Sequence, residues 1–232
     1  MYFKKFKLSN IIKNKKIFKT RYYCTEKEED KFGKARIFIS TTNDPFFNLA
    51  TEHYMFKHLD LTVPIMFLWR NSANVVIGKN QNPWVECQVQ QMEKDGLSLV
   101  RRDSGGEFFQ KRFFFYHFFV EIQISKQGGA VYQDLGNSCF TFLSKMGEHN
   151  KERNTNIICR TLKNHFGIDA KASGRNDIVV GERKVSGSAY KYNQERALHH
   201  GTLLIDVNLS ALEKYLTPNK KKLESKGKFL FF

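Results

Sequence analysis

The sequence predicts an α/β (α+β) domain, a mixed β-sheet flanked by helices. Three observations lead there. The chain has 232 residues, 41% of them apolar, enough to close one good-sized core and unlike a disordered or fibrous chain. From about residue 33 onward, short apolar runs of strand length are interleaved with capped helical segments. The two kinds of element do not alternate strictly, which favours strands of both directions over a doubly wound parallel sheet.

The elements follow in order. Asp44 and Pro45 ahead of Phe46, Leu49, Ala50, His53, Tyr54 and Lys57 read as an N-capped helix with proline at its first position. Residues 65–69 and 74–77 are apolar runs split by Arg70, Asn71 and Ser72, a hairpin-like pair of strands. Asn82-Pro83-Trp84 opens a helix through Val85, Val89, Met92 and Glu93 that stops at Asp95 and Gly96. Residues 97–100 form a strand leading into RRDSGG. A helix at about 156–166 follows, then strands at 177–180, 184–188 and 201–207.

Charge narrows the class of partner. Lys and Arg total 38 against 23 Asp and Glu, a formal charge of +15 and a pI near 9.6. Eight of those charges lie in residues 1–25, before any acidic residue, and another five net charges lie between Lys214 and Lys228. The middle of the chain is left near neutral, too weak for a phosphate-tracking face, so a nucleic-acid binder is disfavoured. The Lys220-Lys221-Lys222 run reads as a solvated face. Residues 1–25, basic and dotted with Phe3, Phe6, Leu8, Ile11, Ile12, Ile17 and Phe18, read as a mitochondrial transit peptide removed near residues 21–24, which directs the protein to the matrix. The alternative is a basic tail without an address and a cytoplasmic protein. No run of some 18 apolar residues is present, so no membrane helix is expected. The four cysteines, Cys24, Cys87, Cys139 and Cys159, are scattered without a C-x-x-C pair, which argues against a zinc site or a disulfide framework.

Two clusters carry chemistry. Arg101-Arg102-Asp103-Ser104-Gly105-Gly106 closes a strand with two cations, a hydroxyl and glycines. Glycines let backbone N–H groups approach a ligand, and arginines fork onto phosphate or carboxylate oxygens. Further on, Lys184 stands in Lys-Val-Ser-Gly-Ser-Ala among small residues; on a strand facing a pocket its ammonium neutralises an anionic ligand, although an exposed lysine is the commoner use of such a position. His199 and His200 have no third ligand in spacing, so no metal site is expected.

Taken jointly, the stretches FLWRNSANVVIGKNQNPWVECQVQQMEKDGLSLVRRDSGG, AVYQDLGNSCFTF, SGRNDIVVGERKVSGSAYKYNQERALHHGTLL and YLTPNKKKLESKG closely resemble the lipoate–protein ligase A and lipoyltransferase family. The resemblance implies the biotinyl/lipoyl protein ligase type of catalytic domain over residues 33–232. It also implies a nucleotide-binding ligase or transferase that modifies proteins: lipoate and ATP give lipoyl-AMP and pyrophosphate, and the acyl group passes to a lysine of a lipoyl domain. The implied acceptors are E2 subunits of 2-oxoacid dehydrogenases and the glycine cleavage H protein, in lipoylation by salvage. Such a reaction asks chiefly for neutralisation of two anions that repel each other. Carried onto this sequence, Arg102 contacts the nucleotide, the backbone of Gly129, Ala130, Val131 and Tyr132 wraps it, and Lys184 bridges the lipoyl carbonyl and the phosphate as the catalytic residue. Ser104, Gly105 and Gly106 join Lys184 in binding lipoate. Mg2+ is expected on the phosphates rather than in a protein cage. Two alternatives stay open: a transferase that uses only preformed lipoyl-AMP, and an inactive relative.

The chain departs from the family pattern in three places. The glycine-rich motif is interrupted by residues 107–128, which hold seven phenylalanines; removing these 22 residues restores a triple glycine running into Ala-Val-Tyr. The chain ends in KFLFF where the family continues. Gln133 stands where the family commonly has His. The first two departures fit a retained intron and a missed splice donor in an AT-rich gene, since T-rich codons encode Phe, and a cDNA spanning both points decides this. If the 107–128 segment is translated, it sits inside the loop that cradles the adenylate. The 232-residue chain is then expected to make little or no lipoyl-AMP and to aggregate, and deletion of 107–128 to restore binding. Normal adenylation by the full chain contradicts that expectation.

Overall fold

The computed structural model describes residues 18–23, 35–105 and 129–217. Two sheets are built from them. The larger has eight strands in the order β1 (Phe18–Tyr23), β2 (Ala35–Ser40), β3 (Ile65–Trp69), β7 (Asn137–Lys145), β11 (Arg196–Leu204), β10 (Arg183–Tyr192), β9 (Asp177–Val180) and β8 (Ala170–Ser173). The smaller runs β5 (Ser98–Arg101), β4 (Asn74–Ile77), β6 (Val131–Gln133). Parallel β2–β3 and β4–β5 pairs sit beside antiparallel neighbours, the mixed α/β sheet that the interleaved elements predict.

Helix α1 (Pro45–His58) starts where expected. The Asp44 carboxylate accepts from the backbone N–H groups of Phe46 and Phe47, and Pro45 gives up no needed donor at the first position. The buried positions of α1, among them Asn48, Leu49, Glu52, Met55 and Phe56, recur every three or four residues and place one stripe against the large sheet. There Leu49, Met55 and Phe56 join Ile65, Phe67, Trp69, Cys139, Leu143 and Leu198 in the main core. On the opposite face α4 (Lys151–Phe166), capped by Asn150 and ended by Gly167 at φ 70°, brings Ile158 and Leu162 onto Phe140, Ile178 and Val185. The small sheet closes on Met92 and Cys87 and on α5 (Leu209–Tyr215).

Three sequence expectations are corrected. The runs at 65–69 and 74–77 are both strands, but they are no hairpin: β3 pairs with β2 and β7, β4 with β5 and β6. The chain changes sheet at Asn71, whose fully buried amide accepts from Asn48 Nδ2 at 2.9 Å and donates to Gln133 Oε1 at 2.8 Å. The helix expected from 82 to 96 is two, α2 (Pro83–Glu86) and α3 (Val89–Lys94). It breaks because the Gln88 N–H donates to Tyr215 O and the Thr217 N–H to Glu86 O, so cross-chain pairing outcompetes the helical ladder. Strands β10 and β11 begin earlier or run longer than 184–188 and 201–207, which puts His199 and His200 inside a strand rather than at its start. Gly106, residues 107–128, the lysine run and the KFLFF end lie outside the described residues, as does the N-terminal stretch except for β1, whose backbone pairs antiparallel with β2.

Gly201 lets β11 and β10 meet: a Cβ there falls 2.5 Å from Phe140 Cζ and 2.9 Å from Gly187 O. The G201A variant is expected to lose about 1–3 kcal/mol in urea unfolding, the range for overpacking a filled core. No loss means the strands have slack that this packing does not show.

Candidate active site

Register builds the site. Across the face of the large sheet that α1 covers, Phe67, Thr141, His200 and Ala189 form one row of cross-strand partners. Trp69, Cys139, Thr202, Gly187 and Asp177 form the next. Lys184 belongs to this face too, in register with Val179. The pairing of β10 with β9 shifts between Lys184 and Ser186, and such bulges commonly re-aim a side chain beside a site. The Lys184 ammonium lies over Gly187, 3.2 Å from where a Cβ would stand, and pairs with Asp177 Oδ1 at 2.5 Å. Glycine at 187 makes that room.

Above the rows the turn after β5 is tied by every side chain from 101 to 104. Arg101 Nη1 donates to the carbonyls of Gly78, Lys79 and Gln81. Arg102, 6% exposed, donates to Ser104 O and Gly129 O, each at 3.2 Å. Burial lowers its guanidinium pKa to about 10, against the raising effect of Glu52 and Glu86. Asp103 is paired with Lys191 from β10 and with His53 Nδ1 from α1 at 2.5 Å. Gly105 has φ +66°, and a Cβ there would stand 3.0 Å from the Arg102 guanidinium, so backbone and packing both favour glycine.

Ser104, 4% exposed, reaches furthest: its Oγ lies 2.6 Å from His200 Nε2. His200 Nδ1 is 2.8 Å from Glu52 Oε1, which also accepts from Thr141 Oγ1 at 2.6 Å. Trp69 Nε1 donates to the same threonine at 3.2 Å. A carboxylate only accepts, so His200 carries a proton on Nδ1, and its Nε2 shares the second hydrogen bond with the Ser104 hydroxyl. Burial pushes the Glu52 carboxyl up, but His200, Thr141 and Arg102 outweigh it and the net direction is down. Glu52 is therefore an anion inside the protein.

Of the sequence-predicted residues, Arg102, Ser104 and Gly105 meet at the turn, and Lys184 lies on the sheet face beneath. Gly129 accepts from Arg102; the Ala130 N–H donates to Glu86 Oε2 at 3.2 Å. Val131 is half-buried on β6, and Tyr132 is buried and stacks on Tyr215. Both arginines spend donors on protein carbonyls, where the sequence assigns them to ligand oxygens. Gln133, in place of the family's usual His, joins the buried amide chain and donates to Cys139 Sγ at 3.4 Å. Sequence reasoning missed Glu52 and the role of His200. The signal for Glu52 was present: it falls on the apolar stripe of α1, where a bare charge is not tolerated.

An α/β domain with a strand-borne lysine and a glycine-containing turn on one sheet face has the chemistry that an enzyme for anionic ligands requires. Residues 44–109 and 122–229 match the lipoyl protein ligase A/B catalytic domain, and the chain belongs to this family of lipoate–protein ligase enzymes. Among solved structures it is similar to LipL1 of P. falciparum in complex with lipoate, at 40% identity and TM-score 0.64, over 79% of this chain and 51% of that one. The chain thus spans about half the length of that relative. The fold is shared with a bipartite lipoate protein ligase from Thermoplasma acidophilum, described with its E2 lipoyl domain (22% identity, TM-score 0.62, 82% and 71% covered). It is shared also with a lipoate-protein ligase A bound with ATP (23%, 0.59, 77% and 69%).

His199 turns to the face that α4 covers, 1% exposed, stacked on Tyr190 at 4.5 Å with Nε2 3.0 Å from Ser188 Oγ. Burial first, then the charges of His200, His149 and Lys151, depress its pKa to about 3. The folded protein keeps this ring neutral while the unfolded chain protonates it below about 6.5. Its contribution to stability is therefore whole above pH 6.5 and lost as pH falls toward 3, at up to about 1.4 kcal/mol per pH unit. Between pH 6.5 and 4.5 the H199Q variant is expected to flatten the stability–pH slope in denaturant titrations, leaving the smaller contributions of His53 and His149, also lowered mainly by burial. An unchanged slope contradicts this assignment.

Proposed function

We propose that the chain activates lipoate with ATP to lipoyl-AMP and transfers the lipoyl group to the lysine of a lipoyl domain. The observation that carries the reading is the Lys184 ammonium, held at a β-bulge over Gly187 on the same sheet face as Ser104 and His200. Adenylation brings a carboxylate against a phosphate, and an ammonium fixed between them lowers that repulsion more in the transition state than in the ground state. Arg102, with Glu52 as counter-charge, puts a buried cation at the base of the nucleotide site, and residues 129–132 offer backbone beside it. Ser104 and Gly105 lie at the lipoate carboxyl. The likeness to a lipoate complex at 40% identity supports the acid substrate. The neighbours described with ATP and with an E2 lipoyl domain bear on nucleotide and acceptor through fold alone.

A magnesium ion is proposed to arrive on the phosphate oxygens of ATP. Asp177, the carboxylate beside Lys184, is the residue that would hold it. When bound, the ion neutralises phosphate charge. The acceptors proposed are E2 subunits and the glycine cleavage H protein, in the mitochondrial matrix, since residues 1–25 have presequence composition. A fluorescent protein fused behind residues 1–34 is expected in mitochondria; diffuse cytosolic signal overturns that placement.

Pyrophosphate release with free lipoate and ATP, followed by mass analysis of a lipoyl-domain acceptor, tests the reaction. The full chain and the chain lacking 107–128 are assayed side by side. Lipoyl-AMP formation supports a ligase, and acceptor modification from supplied lipoyl-AMP alone makes it a transferase. In the active version K184A is expected to lower adenylation by at least about a hundredfold with unchanged Tm, since the change removes charge and little core volume. Retained adenylation in K184A rejects the role of that lysine.

A further inference from the structure

Nothing in the charge-neutralising role of Lys184 uses the Glu52–His200–Ser104 chain. Glu52 holds Nδ1–H of His200, which in the neutral ring leaves Nε2 as the acceptor for the Ser104 hydroxyl. The Ser104 oxygen then has lone pairs left and no proton to give, so its remaining polar surface accepts from a donor. Thr141 and Trp69 fix the carboxylate from below, and Arg102 compensates its charge. Ala189 lies directly across from His200, and Gly187, under the Lys184 ammonium, is its diagonal neighbour. Diagonal positions are about 7–8 Å apart, which spans an acyl-phosphate. Along β10 the positions on this face between the two groups are Ala189 and Gly187.

We infer that Ser104, oriented by His200 and Glu52, is the proton acceptor for the incoming amine in the transfer step, a role that rests on the proposed lipoyl transfer. The ammonium of the acceptor lysine gives one proton to Ser104 Oγ as the hydroxyl proton moves to His200 Nε2, and the imidazolium formed is neutralised by Glu52. Its nitrogen then bonds to the acyl carbon. The bond from that carbon to the phosphate oxygen breaks, and its electron pair leaves on AMP. The second ammonium proton passes to solvent as the amide forms, and the third stays on the amide nitrogen. Positioned proton transfer of this kind contributes about 10²- to 10⁴-fold. Ser104 touches the reacting amine; His200 and Glu52 are positioning residues that act through it.

The test separates two acceptors of the same adenylate. Preformed lipoyl-AMP is given to the full chain and to the chain lacking 107–128, with either a lipoyl-domain lysine or hydroxylamine, a nucleophile already neutral at pH 7. S104A, H200Q and E52Q are each expected to lower the lysine rate relative to the hydroxylamine rate by at least about a hundredfold. S104A leaves the buried Glu52–His200 pair intact, so it reads the relay even if E52Q unfolds. Equal loss with both acceptors in S104A, or no loss with lysine, overturns the relay and leaves the lipoyl-transfer reading standing. Absence of transfer to either acceptor by both unmutated chains overturns that reading itself, and the relay with it.

Discussion

A carboxylate buried in the main interface, Glu52, sets the conditions the surrounding structure has to meet. An unpaired ion in such a place costs several kcal/mol, and here every neighbour answers it. Thr141 from β7 and His200 from β11 supply hydrogen bonds, and Arg102 supplies the opposite charge. Because these residues come from a helix, two strands of the large sheet and the turn after β5, the charge cannot be satisfied until all four are in place. The pairing therefore specifies where the glycine turn stands over the sheet, and this relation makes a site.

A second buried chain works alongside it. Ser40, Asn48, Asn71 and Gln133 pass hydrogen bonds from β2 through α1 to β6, so the small sheet is held to the large one by amides as well as by apolar contact. Polar networks of this sort fix geometry more than they add stability, since each member loses water to join. The same logic applies to the turn: Arg101, Arg102, Asp103 and Ser104 each bind a different partner. Preorganisation of this kind suits the proposed task of holding two repelling anions, because no reorganisation is then required at the moment of reaction.

Much of this was legible in the sequence. The cap of α1 followed from Asp44 and Pro45, and the mixed sheet from irregular interleaving. Lys184 and the RRDSGG turn stood out because charge among small residues is unusual on a strand and at its end. Other features depended on distant partners. The split between α2 and α3 is imposed by backbone pairing with Tyr215 and Thr217, more than a hundred residues away. The change of sheet at Asn71 rests on Asn48 and Gln133, which no local pattern connects to it. His199 and His200 look alike in sequence, yet strand alternation sends one into an aromatic cluster and the other to a carboxylate. Their roles diverge only once the register of β11 is known.

One face of the large sheet, between Lys184 and the turn at Ser104, is proposed to receive the acyl-adenylate. A crystal structure of the chain with a stable lipoyl-AMP analogue tests it most directly. The Lys184 ammonium is expected in hydrogen-bond contact with the phosphate and acyl oxygens, and the acyl carbon beside Ser104 Oγ. An analogue bound on the α4 face, or bound with Lys184 still turned wholly to Asp177, contradicts it.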